Sequence, residues 1–216
     1  MSDINKLLKE RLHVNTHPLV RSKLTMLRDK ETGNKEFREL VEEIAAFIFY
    51  EATSDVQLVE KTVDTPICNT DGWVCEQKFG LVPILRAGLG MVDGISKLMP
   101  TAKIGHIGIY RNPETLRPVE YYCKLPSEIS EKEILLMDPM LATGRTAEAS
   151  IRYLKEAGAK RIKFLCIVAV REGVEEILSN HPDIDIYTAA YDEMLNDHGY
   201  IVPGLGDAGD RLFGTR

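Results

Sequence analysis

The sequence has little of what marks several large classes of protein. Its four cysteines, Cys68, Cys75, Cys123 and Cys166, include no C-x-x-C pair. Neither a structural zinc site nor a disulfide framework is therefore indicated, and reduced, buried thiols of a cytoplasmic protein are expected. No uninterrupted apolar run approaches the roughly 20 residues of a membrane-spanning helix. The N-terminal "MSDINKLLKERLHV" is charged, so no signal peptide or membrane anchor is expected. Basic charge is in the minority, with 27 Lys and Arg against 33 Asp and Glu and a net charge of -6, which argues against a nucleic-acid partner. The five histidines show no H-E-x-x-H or similar spacing and read as structural. What remains is 216 residues with 44% apolar content, enough to bury a proper core. No repeat, low-complexity tract or linker divides them. A single domain over 1–216 is expected, with N-terminal helices about 1–55, a core about 56–191 and a C-terminal segment about 192–216.

In "KEFRELVEEIAAFIFYEA", Phe37, Leu40, Val41, Ile44 and Ile48 fall at helical spacing with charged residues opposite, which predicts an amphipathic helix that packs on a core or a second subunit. From Phe79 onward the pattern becomes short apolar runs bounded by Gly or Pro: "FGLVPIL", "KIGHIGIY", "EILLMD", "RIKFLCIVAV" and "DIYTAAY". Such runs suit strands covered on both faces. Helical segments are predicted at Leu89 to Met99, Thr146 to Ala157 and Val174 to Asn180. Alternation of this kind implies the α/β class, a parallel sheet flanked by helices. The stretch "RNPETLRPVEYYCKLP" reads as a projecting hairpin or flap, because prolines interrupt a polar, β-prone segment.

Ligands of open parallel sheets bind beyond the carboxyl ends of the strands. There the sequence places "RAGLGM", Arg111, "DPMLATGRTA" and the glycine-studded tail "YIVPGLGDAGDRLFGT". A turn through "ATGRT" into a helix aims successive N–H groups into one concavity at the positive end of the helix dipole, and the Thr143 and Thr146 hydroxyls can donate as well. Asp138, at the preceding strand end, is a carboxylate able to hold a pair of hydroxyls. An acid for hydroxyls followed by amides for a phosphate describes a ribose 5-phosphate site. The lysine and spacing of a Walker loop and the G-x-G-x-x-G of a dinucleotide site are both missing. Taken alone, the segment is more often an ordinary strand-to-helix turn, and it is the four preceding apolar residues and the matching helix that favour the phosphate reading.

The blocks "HPLVRSKLTMLRD", "FRELVEEI", "YEAT", "VPILRAGLGM", "RNPETLRPVEYY", "DPMLATG" and "HPDIDIYTAAYDEMLNDHGYIVPGLGDAGDRLFGT" resemble, in order and over most of the chain, the uracil phosphoribosyltransferases, a branch of the type I phosphoribosyltransferases. Asp138-Pro139 fits that branch, and the tail is the most specific element. The resemblance implies a type I phosphoribosyltransferase-like sheet with a C-terminal hood over the base. It also implies conversion of uracil and 5-phospho-α-D-ribose 1-diphosphate to UMP and diphosphate. Arg86 and Arg111 would contact the phosphoribosyl diphosphate, and Asp138, Pro139, Met140, Leu141, Ala142, Thr143, Gly144, Arg145 and Thr146 would hold its ribose and 5-phosphate. Ile201, Gly206, Asp207 and Ala208 would read uracil, with Asp207 and Arg86 as the catalytic candidates. Mg²⁺ would arrive mainly on the substrate diphosphate, and a homodimer or larger assembly, with GTP as a candidate effector, is expected.

Residue chemistry agrees with these expectations. Arginine offers a planar fork of donors for diphosphate oxygens, and Arg86, between apolar neighbours, would be costly to bury without an anion. The resemblance further implies a cis peptide after Arg86. Backbone groups exposed by Pro203, Gly204 and Gly206 would read the donor and acceptor pattern of uracil against that of cytosine. Asp207 has an ordinary alternative as a turn-stabilising acid. Arg145 and Arg171 stand where the family usually has small or rigid residues. For Arg145 the expectation is a negative φ, an amide that serves the 5-phosphate and a guanidinium facing outward. The alternatives are an RNA-binding regulator on the same fold and a phosphoribosyltransferase for another base.

Overall fold

Strands that are apolar at every position need a layer of helices on each face, and the chain supplies both. The computed structural model describes residues 2–111 and 118–215, with side chains for 4–110 and 119–215. In chain order it contains α1 (Ser2–Arg11), β1 (Leu12–Val14), α2 (Pro18–Arg28), α3 (Asn34–Ala52), β2 (Val59–Asp64), β3 (Asn69–Val74), β4 (Phe79–Leu85), α4 (Leu89–Leu98), β5 (Lys103–Ile104), β6 (His106–Arg111), β7 (Pro118–Lys124), β8 (Glu133–Met137), β9 (Met140–Leu141), α5 (Arg145–Glu156), β10 (Arg161–Val170), α6 (Arg171–Asn180), β11 (Asp185–Asp192), β12 (Met194–Leu195), β13 (Ile201–Val202) and α7 (Ala208–Phe213). The main sheet runs β1-β11-β10-β8-β4-β6-β7, with β5 beside β4 and β9 beside β10. Its pairings are parallel except β6 with β7.

Alternation along the central strands sorts their side chains between two cores. On β8, Leu135 and Met137 join α2, α3, α4 and α7 through Leu27, Phe37, Ile44, Met91 and Leu212. Ile134 and Leu136 point the other way, toward α5 and α6 through Ile151, Leu154, Val174 and Ile177. Strand β10 divides likewise, Leu165 and Ile167 to the first core and Phe164 and Cys166 to the second. The five helix-spaced residues of α3 are all buried.

Several expectations need correction. The run "KIGHIGIY" is two strands, broken at Gly105, whose N–H turns to Leu81 O at 2.9 Å. Helix α6 starts at Arg171, three residues before Val174. The expected flap is β7 folded back antiparallel on β6, and its tip, 112–117, lies outside the described residues. The hairpin β2–β3 was not anticipated, because its side chains are almost wholly exposed and show no period-two alternation. Cys68, Cys75 and Cys123 are exposed rather than buried, since they sit on or beside the two hairpins. Only Cys166, inside β10, matches the expectation.

Candidate active site

The site is built where β8 ends. The Asp138 N–H donates to Leu165 O at 3.2 Å, and the Pro139 carbonyl accepts from Ile167 and Val168 at 3.0 Å each. The chain after the acid is therefore pinned along β10, and β9 continues that pairing. Gly144 then turns the chain into α5 with φ +76°. A Cβ at that position would lie 2.6 Å from Gly173 O and 2.7 Å from Glu176 Cβ, so both the backbone conformation and the contact with α6 require glycine. No side chain caps α5, so its first N–H groups lack helical acceptors, an arrangement suited to an anion. The left-handed residue is Gly144, while Arg145 begins the helix with its side chain exposed.

The Asp138 carboxylate is half-buried, and its Oδ1 accepts from the Met140 N–H at 3.2 Å. Burial pushes its pKa from the ordinary 3.8 to about 7; the Met140 hydrogen bond opposes the rise and the negative charge of Asp207 adds to it. That last influence brings the two acids into one electrostatic site. Behind them the thiol of Cys166 is pushed up to about 12 by burial and is inert.

The opposite wall is the tail. Strands β12 and β13 form a small hairpin whose turn is held by Asn196 Oδ1, the acceptor for the His198 and Tyr200 N–H groups at 3.0 Å. Asp207 caps α7, its Oδ1 accepting from the Asp210 N–H at 2.8 Å. A cavity of about 220 Å³ separates the walls, lined by Ala87, Asp138, Met140, Ala142, Gly199, Tyr200, Ile201, Gly206, Asp207, Ala208 and Gly209. Of the expected residues, Asp138, Met140, Ala142, Ile201, Gly206, Asp207 and Ala208 line it directly. Pro139, Leu141 and Gly144 are buried behind the lining. A larger cavity of about 490 Å³, among Asp55, Glu76, Glu133 and Arg161, opens at the amino ends of β8 and β10, the wrong end for a ligand of such a sheet.

Three expectations about this site change. Arg86 is not buried: its side chain is 59% exposed, 3.9 Å from Asp210 Oδ1 and 5.9 Å over the Phe213 ring. Strand β4 ends at Leu85, so the apolar neighbours lie behind the arginine and the burial argument fails; its sequence neighbour Ala87 lines the cavity. The cis peptide precedes Arg86, between Leu85 and Arg86, and a second joins Val202 to Pro203. Gly204 does not present its backbone to the cavity, because its N–H donates to Asp192 Oδ2 at 2.9 Å and its carbonyl accepts from Arg28 Nη1 at 2.7 Å. Arg111 ends β6, and its side chain lies outside the described residues. Arg28 and Asp192, 164 positions apart, carry no local signal that marks them as partners.

Residues 14–215 match the family profile described as Uracil phosphoribosyltransferase. The chain belongs to the uracil phosphoribosyltransferase family. A relative named uracil phosphoribosyltransferase from Anoxybacillus flavithermus is 59% identical over 207 residues, covering 95% of this chain and 99% of its own. One of the same name from Desulfitobacterium hafniense is 56% identical with the same coverage. Among solved structures, a protein from Aquifex aeolicus superposes with a TM-score of 0.89 at 38% identity, over 94% of this chain and 98% of its own. An adenine phosphoribosyl transferase from Trypanosoma brucei, solved with AMP, pyrophosphate and ribose-5-phosphate, shares the fold at a TM-score of 0.53 and 13% identity, over 81% of this chain and 71% of its own.

Proposed function

We propose that this member of the uracil phosphoribosyltransferase family converts uracil and 5-phospho-α-D-ribose 1-diphosphate to UMP and diphosphate in the cavity between the 138–146 loop and the tail. The observation that carries the reading is the pairing of an acid and an uncapped helix start with a facing wall of backbone, Tyr200 to Ile201 and Gly206 to Gly209. The first wall suits a ribose and its 5-phosphate, and the second suits a flat base.

Within that reading the C1–O bond to diphosphate breaks as the C1–N1 bond to uracil forms, through a transition state with oxocarbenium character, and the N1 proton leaves to the departing diphosphate or to solvent. Asp138 holds ribose hydroxyls, and the amides of Thr143 to Thr146 bind the 5-phosphate. Arg86, exposed next to the lining residue Ala87, and Arg111 would donate to the departing diphosphate. Asp207, whose Oδ1 is held by the Asp210 N–H, would present its carboxylate toward uracil N1.

Mg²⁺ fits the donors present. Asp138 and Asp207 are oxygen ligands of the hard type it prefers, and their mutual repulsion is the kind that a cation relieves. Among the described residues no group of three or more His, Cys, Asp or Glu could hold a metal unaided, so diphosphate oxygens would supply the rest of its shell. When bound it supplies charge neutralisation on the leaving group. A homodimer or larger assembly belongs to the same proposal, supported by the exposed Tyr50, Leu58, Ile67 and Trp73. GTP as effector and a cytoplasmic setting complete it, the former resting on the family resemblance and the latter on the three exposed, unpaired cysteines. No helix among the described residues is long and apolar enough to cross a membrane.

Incubation with phosphoribosyl diphosphate, Mg²⁺ and a panel of uracil, 5-substituted uracils, cytosine and hypoxanthine tests the reading. Nucleotide is expected from uracil and, more slowly, from 5-substituted uracils. Product from hypoxanthine or cytosine at the uracil rate would overturn the assignment of the tail.

A further inference from the structure

The tail that walls the cavity is fastened to the N-terminal helices at Gly204 and again through Arg211. Arg28, the last residue of α2, donates from Nη1 and Nη2 to the two carboxylate oxygens of Asp192 at 2.7 and 2.6 Å. Its Nη1 also donates to the Gly204 carbonyl at 2.7 Å, while Asp192 Oδ2 accepts from the Gly204 N–H at 2.9 Å. The three residues thus close a ring of hydrogen bonds in which both polar groups of Gly204 are used. Gly204 has φ +59°, and a Cβ there would strike the Ile201 carbonyl, so the ring also fixes where Ile201 lies. One residue on, the Leu205 carbonyl accepts from Arg211 Nη1 at 2.9 Å, and the same guanidinium binds the carbonyls of Leu27 and Asp29. The anchored positions, 204 and 205, lie between the lining residues Ile201 and Gly206 to Ala208.

An ion pair this dry, with side-chain exposures of 21% for Arg28 and 6% for Asp192, is a weak source of stability, because desolvation offsets much of its attraction. What it supplies is geometry. A guanidinium fork fixes distance and plane together, which an ammonium group cannot do.

We propose that the Arg28–Asp192 pair is a positioning element for the base, setting the path of residues 201–208 and thereby the affinity and selectivity for uracil without touching the substrate. This rests on the reading above, in which that segment faces the base. A brace that served stability alone would, when broken, lower the folded fraction and leave the Michaelis constants of the folded molecules unchanged.

Arg28→Lys and Asp192→Asn loosen the ring by different means, and Lys23→Met is the control. Lys23, on the same helix as Arg28, binds Glu43 at 2.6 Å and takes no part in the ring. Misplacement of a site by about 1 Å costs on the order of tenfold to a hundredfold, so the uracil KM is expected to rise at least about tenfold in both ring variants. The KM for phosphoribosyl diphosphate should stay within about twofold, and the cytosine to uracil rate ratio should rise. Hydrogen exchange of peptides covering 199–209 should be at least about tenfold faster in Arg28→Lys, with β8 peptides unchanged. An unchanged uracil KM, a parallel rise in both Michaelis constants, the same effect in Lys23→Met, or unchanged exchange over 199–209 overturns the proposal. A parent protein that makes no nucleotide from uracil defeats the functional reading instead, and the exchange measurement then decides the clamp by itself.

Discussion

Replacing Asp138 by Asn separates what the carboxylate does for the substrate from what it does to the fold. Burial and the charge of Asp207 raise its pKa from 3.8 to about 7 in the folded chain. A rise of this kind is worth about 1.4 kcal/mol per pH unit, so the ionised carboxylate costs the folded state at most about 4 kcal/mol relative to its protonated form. Because the group is half open to the cavity, water screens part of that cost, leaving about 1–3 kcal/mol. Between pH 4 and pH 7 the folded chain keeps a proton that the unfolded chain has lost, so this group's contribution to stability falls as pH rises and levels off above about 7. Asn carries no charge at any pH, and its Oδ1 can still accept from the Met140 N–H. Urea unfolding should therefore find Asp138→Asn more stable than the parent by about 1–3 kcal/mol at pH 8, with a smaller gain at pH 5. Transfer activity should fall, since the variant loses the charge that holds ribose hydroxyls. A variant no more stable than the parent at pH 8, or a gain that shrinks as pH rises, would refute the electrostatic reasoning.

Gly144→Ala places a Cβ 2.6 Å from Gly173 O at a left-handed φ. It should cost about 1–3 kcal/mol in thermal or urea unfolding and weaken phosphoribosyl diphosphate binding; wild-type values for both would show that the turn does not need glycine. Arg145→Gly should leave affinity for phosphoribosyl diphosphate within about twofold at low and high salt, as expected of an exposed guanidinium that faces away from the phosphate. A clear, salt-sensitive loss would make it one. Asp207→Asn keeps a competent helix cap, so stability should change by less than about 1 kcal/mol while turnover drops about tenfold or more. Unfolding of that variant would reduce Asp207 to its capping role.

Where a local pattern carried the structural information, the sequence was legible. "FGLVPIL" and "RIKFLCIVAV" coincide residue for residue with β4 and β10, because strands buried on both faces leave an uninterrupted apolar run. The acid and Gly turn of 138–144 were readable as a strand end leading into a helix, and β8 does stop at Met137 with α5 starting at Arg145. The failures belong to features that depend on the chain's path in space. Arg86 has apolar neighbours in sequence, yet the strand stops one residue before it and releases it to solvent. Gly204 sits in a glycine-rich tail suited to reading a base, yet Arg28 and Asp192 use both its polar groups. The hairpin β2–β3 is exposed along nearly all of both strands, so burial imposes no pattern on its side chains.

A crystal structure of the protein with UMP bound tests the location and chemistry of the site together. The 5-phosphate is expected on the amides of Thr143 to Thr146, the ribose hydroxyls on Asp138, and the base against Ile201 and Gly206 to Ala208. UMP bound instead in the larger cavity beside Glu133 and Arg161, or not bound at all at saturating concentration, would contradict the account.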